Sequence, residues 1–185
     1  MSFSGEKMNE NNSQTNKPIH NLENEKHSIL YYMNEIAMNF PYIFSAIVFL
    51  YLIYQSYFVY LLFFIVGFFA NKQISKILKL YFKTPRPSEK NNKMDSKNPE
   101  KYGFPSGHAQ ILFFAISFLL FVVFYSNRKN FNLILIFSFF FAIATFLQRW
   151  MTQMHTFEQL LGGAFFGSLV GIITASIGNL LIRNI

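Results

Sequence analysis

Ala109–Tyr125 reads AQILFFAISFLLFVVFY, seventeen residues without one charge. A helix needs about 17–25 predominantly apolar residues to cross a bilayer, so this stretch predicts a transmembrane span. Two further segments meet the same requirement. Phe131–Leu147 reads FNLILIFSFFFAIATFL, and Leu160–Ile182 reads LLGGAFFGSLVGIITASIGNLLI. Only Ser126-Asn-Arg-Lys-Asn130 separates the first two, which predicts an antiparallel hairpin. A hairpin crosses the membrane twice. The segment before it, Thr84–Pro105, and the segment after it, Gln148–Gln159, must therefore share one side.

Upstream, Phe40–Ala70 is interrupted only by Gln55-Ser56. One helix over all 31 residues would be about 46 Å long, too long for a hydrocarbon core of about 30 Å. It divides at Gln55-Ser56 into one span reaching back to Ile36 and another continuing through Asn71 to Phe82. The expected fold is all-α: a polytopic membrane bundle of about five helices over 29–185, preceded by a polar tail. Residues 1–28 are rich in Asn, Glu and Lys and are expected to be disordered. They lack the apolar stretch of a cleaved signal peptide, so the first spans are expected to direct the chain to its membrane.

Composition agrees. Of 185 residues, 52% are apolar and 25 are Phe, more than a soluble domain of this size could hide. Residues 40–70 carry no charge and residues 71–101 carry twelve. There is no Cys, which excludes disulfides, thiol catalysis and thiolate metal sites. The net charge of +7 would suit nucleic acid, but beside such apolar runs an anionic lipid is the expected partner. Gly163, Gly167 and Gly171 repeat the spacing that lets membrane helices approach closely and are assigned to packing. Lys72, Lys76, Lys79 and Lys83 fall on one helix face. They read either as lysines snorkelling to the interface or as a basic stripe leading into an anion site.

Three clusters fall on the shared side. In Lys79-Leu-Tyr-Phe-Lys-Thr-Pro-Arg86-Pro87, the prolines are expected to end the helix and turn the chain, so that both cations reach one anion. In Gly103-Phe-Pro105-Ser106-Gly107-His108, Ser106 and Gly107 stand where a span begins. Free N–H groups and the positive helix end there suit phosphate oxygens, and His108 would stand beside them, placed to donate a proton. In Arg149-Trp-Met-Thr-Gln-Met-His155-Thr-Phe-Glu158-Gln159, Arg149 closes one span and His155 precedes the next. On a continuous helix they would point about 240° apart, so the chain must turn back to bring them together. Of four histidines, His20 and His27 lie in the tail, and the other two each sit in one cluster. Desolvating so many cations without an anion would be costly.

Such residues fit phosphoryl transfer, which asks for charge stabilisation, a nucleophile and a leaving-group acid. Lys79, Arg86, Arg149 and the N–H groups near Ser106 and Gly107 supply the first. The nearby acids Glu89, Asp95, Glu100 and Glu158 make no paired arrangement for a divalent cation, so no metal and no cofactor are expected. That favours a covalent route: one imidazole attacks phosphorus, and the other protonates the departing oxygen and then helps activate water.

These clusters resemble the three signature motifs of the type 2 phosphatidic acid phosphatase superfamily, K-x6-R-P, P-S-G-H and S-R-x5-H-x3-D. Lys79, Arg86 and Pro87 match the first, Pro105–His108 the second, and Arg149 and His155 the third at its spacing. The resemblance implies His155 as nucleophile, His108 as acid and base, Lys79, Arg86 and Arg149 as phosphate ligands, and metal independence. Two positions depart from the pattern: Gln148 replaces a Ser, and Gln159 replaces the Asp that orients the nucleophile. Either Gln159 or Glu158 takes the orienting role. His155-Thr-Phe-Glu-Gln159 and Asn71–Pro87 are similar to the dolichyl diphosphatase branch. That implies a polyprenyl diphosphate substrate and an active site on the lumenal face of the endoplasmic reticulum. The charge count points the other way, since 13 of 16 Lys and Arg lie on the catalytic side and basic loops favour the cytosol. Catalysis needs some of those cations, so the lumenal expectation is kept. A glycan on Asn11, in Asn11-Asn12-Ser13, would support it. The rival readings are a phosphatidate or other lipid monophosphate phosphatase, a catalytically inactive lipid-phosphate-binding protein, and, disfavoured by five spans, a vanadate-dependent peroxidase.

Overall fold

We describe a computed structural model over residues 35–36, 38–89, 98–126 and 131–184. The tail expected over 1–28, Asn11, Asp95 and hairpin residues 127–130 fall outside the described residues. Residues 37–185 form one unit. Its helices are α1 (Phe40–Tyr54), α2 (Phe58–Phe82), α3 (Gly107–Tyr125), α4 (Phe131–Met151) and α5 (Phe157–Arg183), with short 3-10 turns at Pro87–Glu89 and Pro99–Lys101. No strand occurs among the described residues. The protein is an all-helical membrane-type bundle, with α2 to α5 each long and apolar enough to cross a bilayer.

Helix α1 is shorter than the sequence suggested. The regular α1 begins at Phe40 instead of Ile36, because Pro41 sits in its first turn, where a missing N–H costs nothing. Its 15 residues span only about 22 Å. The expected break between α1 and α2 is present at Gln55–Tyr57. Ser56 takes a left-handed conformation there (φ 57°), and the Tyr57 N–H reaches back to the Leu52 carbonyl.

The most buried helix is α3. Leu112, Phe114, Ala115, Phe118, Val122 and Val123 have essentially no exposure. Helix α5 lies directly on it through its glycines. A Cβ at Gly163 would strike the Ser106 carbonyl, one at Gly167 the Gln110 carbonyl, and one at Gly171 the Ser117 hydroxyl. Removing those Cβ atoms is what lets the two backbones touch. By contrast, Ile136, Phe139 and Phe140 on α4 and Phe165 on α5 point outward, apolar surface that only lipid could cover.

Contacts at the two rims fix the direction of each helix. At one rim the Tyr60 hydroxyl meets Asn179 at 3.0 Å, and the Arg183 guanidinium lies 5.5 Å from the Tyr125 ring. The start of α2 and the ends of α3 and α5 therefore share that rim. The end of α2, the start of α3, the end of α4 and the start of α5 share the other, which is where the hairpin count put the three clusters.

Helix α2 ends where expected. It closes at Phe82, with Lys83 left-handed (φ 48°) and its N–H on the Lys79 carbonyl. Pro85 acts one step ahead of itself, because the residue before a proline is pushed out of the α region. Thr84 is therefore lost to the helix, and Lys83 becomes its cap. Lys83 is exposed and leaves the stripe formed by Lys72, Lys76 and Lys79.

Candidate active site

Main-chain hydrogen bonds tie the three clusters together at this rim. The Gly103 N–H donates to the Thr84 carbonyl at 2.8 Å, and the Phe104 N–H to the Thr84 hydroxyl at 2.9 Å, joining the first cluster to the second. The Ser88 N–H donates to the Gln153 carbonyl at 3.2 Å, joining the first to the third. The Ser106 N–H donates to the Gln159 carbonyl at 2.9 Å, joining the second to the third.

Arg149 and His155 converge because the chain turns back on itself. Gln153 adopts a left-handed conformation (φ 56°). The N–H groups of Met154 and His155 then both donate to the Arg149 carbonyl, at 3.2 and 3.4 Å. Two residues that a straight helix would splay apart thus face the same space.

That space is a cavity of about 90 Å³. It is large enough to take a phosphate group. Lys79, Arg86, Gly107, His108, Arg149 and His155 all line it, joined by Tyr42, Ser75 and Glu100. The cations are poorly satisfied. Nε and one terminal nitrogen of Arg149 and the Nε of Arg86 are buried without a hydrogen-bond partner. Lys79 has one acidic neighbour, Glu100, at 3.4 Å, and the Glu100 side chain is 65% exposed. Arg86 also donates to the Glu100 carbonyl and contacts Met154 Sδ at 3.8 Å. Buried donors left unpaired are expensive, and an anion in the cavity would satisfy them. Gly107 keeps the cavity open. A Cβ there would stand 3.7 Å from Lys79 Nζ, in the space such an anion would take.

The hydrogen bonds around Gln159 fix the tautomer of His155. Its amide nitrogen donates to the Pro85 carbonyl at 2.8 Å, and that oxygen can only accept. Its Oε1 accepts from the Thr156 N–H at 3.2 Å, and that group can only donate. The amide orientation is thereby determined from both ends. Oε1 also faces His155 Nδ1 at 3.3 Å, so Nδ1 carries the proton and Nε2 bears the lone pair. Burial, with Arg86, Arg149 and Lys79 close by, pushes the His155 pKa down to about 3 against the opposing effect of Gln159. The imidazole is therefore neutral at physiological pH, as a nucleophile must be.

A family model described as the PAP2 superfamily matches residues 56–183. The chain belongs to the PAP2 superfamily. Its members are phosphatases that act on lipid phosphates. No curated protein matches the chain, and no solved structure does.

Within this PAP2 protein the structure separates the residues expected at the site into two sets. Lys79, Arg86, Gly107, His108, Arg149 and His155 line the cavity, whereas Ser106 and Gln159 stand behind its wall. Ser106 is the N-cap of α3. Its N–H is taken by Gln159, and its buried hydroxyl has no partner. The N–H groups without an intrahelical partner that remain at this helix end belong to Gly107, His108 and Ala109. Of the two rivals for orienting His155, Gln159 makes the contact, and Glu158 is exposed to the outside. Gly103 makes room for that amide, since a Cβ there would overlap it.

The structure adds two features to this PAP2 site that the sequence reading did not single out. The Tyr42 ring packs edge-on to His108 at 5.9 Å. Beneath the cavity, Asn71 and Gln110 clamp α2 to α3: Gln110 Nε2 donates to the Asn71 carbonyl and side-chain oxygen at 3.1 and 3.0 Å, and Asn71 donates to the Gln110 carbonyl at 3.3 Å. A polar Gln one turn into an apolar span was the available signal. Among the described residues no three His, Asp or Glu side chains gather as a metal site would require. A cavity of about 460 Å³ between α3 and α4 is apolar and shares no residue with the one lined by His108 and His155.

Proposed function

We propose that this protein removes the terminal phosphate of a polyprenyl, dolichyl-type diphosphate through a phosphohistidine on His155. One observation carries the reading: His155, its Nδ1 proton held by Gln159, lines one cavity with His108, Lys79, Arg86 and Arg149. Family membership supports a lipid phosphate as substrate.

His155 Nε2 attacks the terminal phosphorus, and the bond from that phosphorus to the bridging oxygen breaks. His108 gives its proton to that oxygen as the lipid monophosphate departs. Water then attacks the phosphohistidine and yields a proton to His108. The P–N bond breaks, orthophosphate leaves and both imidazoles return to their starting states. Nδ1–H stays on Gln159 throughout. Lys79, Arg86, Arg149 and the first N–H groups of α3 hold the charge that gathers on the phosphoryl oxygens. The route calls for no metal and no cofactor. We place the reaction on the lumenal face of the endoplasmic reticulum, a placement that glycosylation of Asn11 in cells would support.

The test uses purified protein with dolichyl diphosphate and phosphatidate. Wild type should release phosphate from the diphosphate, and acid-labile phosphate should be trapped on His155. His155→Ala should lose both signals. His108→Ala should spare substrates with good leaving groups. Equal loss on every substrate would contradict the acid role. A preference for phosphatidate would reassign the substrate to the monophosphates. Wild type and His155→Ala equally inert on both lipids would leave a binding protein.

A further inference from the structure

The cation stripe on α2 continues beyond what the hydrolysis of one phosphate uses. Lys72, Ser75 and Lys76 line the same cavity as Lys79, on the same helix face. Helix α2 runs toward the active-site rim, so these residues sit deeper in the bilayer than Lys79. By helical rise, Lys76 is about 4.5 Å and Lys72 about 10 Å further in. Among the described residues no carboxylate pairs with either, while Lys79 has Glu100. Two ammonium groups set inward from the rim are costly without an anion.

What lies below them is apolar. A groove of about 210 Å³ between α1 and α2 is lined by Tyr42, Ser45, Ala46, Phe49, Phe64 and Phe68 among others. Tyr42 lines both this groove and the catalytic cavity, so the two adjoin across its ring. Lys72 marks the junction, its ammonium 5.9 Å from the centre of the Phe68 ring. Tyr42 and Phe49 are seven residues apart on α1, so the groove descends about 10 Å away from the rim. The larger groove between α3 and α4 shares no lining residue with the catalytic cavity.

Along α2 the order is therefore Lys79 beside the histidines, then Lys76 and Ser75, then Lys72, then apolar rings. We infer that Lys76 and Lys72 form a second phosphate subsite, which holds the inner phosphate of a lipid diphosphate while its chain descends between α1 and α2. The inference rests on the phosphatase reading above and deepens it. The terminal phosphate lies against His155, and the inner one becomes the leaving group, with its charge met by Lys76 and Lys72. A lipid monophosphate has nothing to place there. Lysines that merely snorkel to the headgroups would not distinguish the two substrates.

The test compares farnesyl diphosphate with farnesyl monophosphate, which share one chain, on the purified full chain in detergent. Phosphate release gives kcat/KM for each, and the readout is the ratio of the two. Lys76→Gln and Lys72→Gln should each lower the ratio of diphosphate to monophosphate at least about tenfold, the scale of one charged hydrogen bond. Monophosphate turnover by the same variant checks that it is folded. A ratio that stays within twofold of wild type in both variants overturns the subsite and leaves the phosphatase reading standing. Wild type that releases phosphate from neither substrate overturns both.

Discussion

Replacing Gln159 by Ala tests how His155 is held. The substitution removes three side-chain hydrogen bonds, to Pro85, Thr156 and His155. At about 1 kcal/mol net each, the fold should lose roughly 3 kcal/mol. For catalysis, losing the bond to Nδ1 frees the ring to rotate and to move its proton to Nε2, where it blocks attack. One oriented hydrogen bond of about 1.4 kcal/mol is worth tenfold, and ring freedom adds to it, so kcat should fall about 10- to 100-fold. The fall should stay below the roughly 10⁴ known for the Asn substitution of the serine-protease Asp, because Gln159 brings no charge to the imidazole. Gln159→Glu separates positioning from structure. It keeps an acceptor for Nδ1 but sets a second oxygen against the Pro85 carbonyl. Its thermal midpoint should fall as far as that of the Ala variant, with kcat kept within about tenfold of wild type. Steady-state kinetics in detergent give kcat, thermal unfolding gives stability, and 15N spectra of labelled histidine report which ring nitrogen carries the proton. Glu158→Ala is the matched control and should stay within twofold of wild type. A Gln159→Ala enzyme with wild-type kcat and an unchanged Nδ1–H signal would refute the reasoning.

Three other outcomes follow from the same geometry. Gly107→Ala should lower activity sharply without harming the fold, because its Cβ enters the anion space near Lys79 at ordinary contact distances; relief of glycine's chain entropy should even add about 0.4–1 kcal/mol, read as a higher thermal midpoint. Glu100→Gln should tighten inhibition by orthophosphate about fivefold, since the carboxylate competes for Lys79 and a pair with one partner exposed is worth about 1 kcal/mol. For pH, an unfolded His155 takes its proton near 6.5 and the folded ring only near 3. The stability it contributes is thus complete above 6.5 and declines as pH falls through that window. Between pH 6.5 and 4.5 the decline should be about 2–3 kcal/mol, measured by unfolding in detergent, and His155→Gln should flatten the curve by that amount.

The helices were legible because the bilayer imposes a length on apolar runs, and Ala109–Tyr125 differs from α3 by only two residues at its start. Boundaries set by backbone detail were less so. Pro41 shortened α1, and Pro85 acted through Thr84 to turn Lys83 out of the lysine stripe. Both are effects of a proline on its surroundings that hydropathy does not register. Lys79, Arg86, His108, Arg149 and His155 were legible because charges and imidazoles at membrane depth are too costly to keep without a use. Tyr42 was not, since an aromatic among aromatics carries no signal until its neighbours are known. Gln159 and Glu158 could not be ranked by spacing alone, as both lie within one turn of His155.

By itself, the sequence determined that the chain enters a membrane as helices and that the three polar clusters come out on one side, because chain length and transfer free energy leave no other arrangement. The tertiary structure alone decided which atoms meet: Gln159 instead of Glu158 at Nδ1, Gly107 instead of Ser106 at the cavity wall, and Lys72 and Lys76 inside it while Lys83 stays out. Those choices turn on hydrogen-bond directions and single backbone torsions. They are fixed only once residues far apart in the chain are packed against each other.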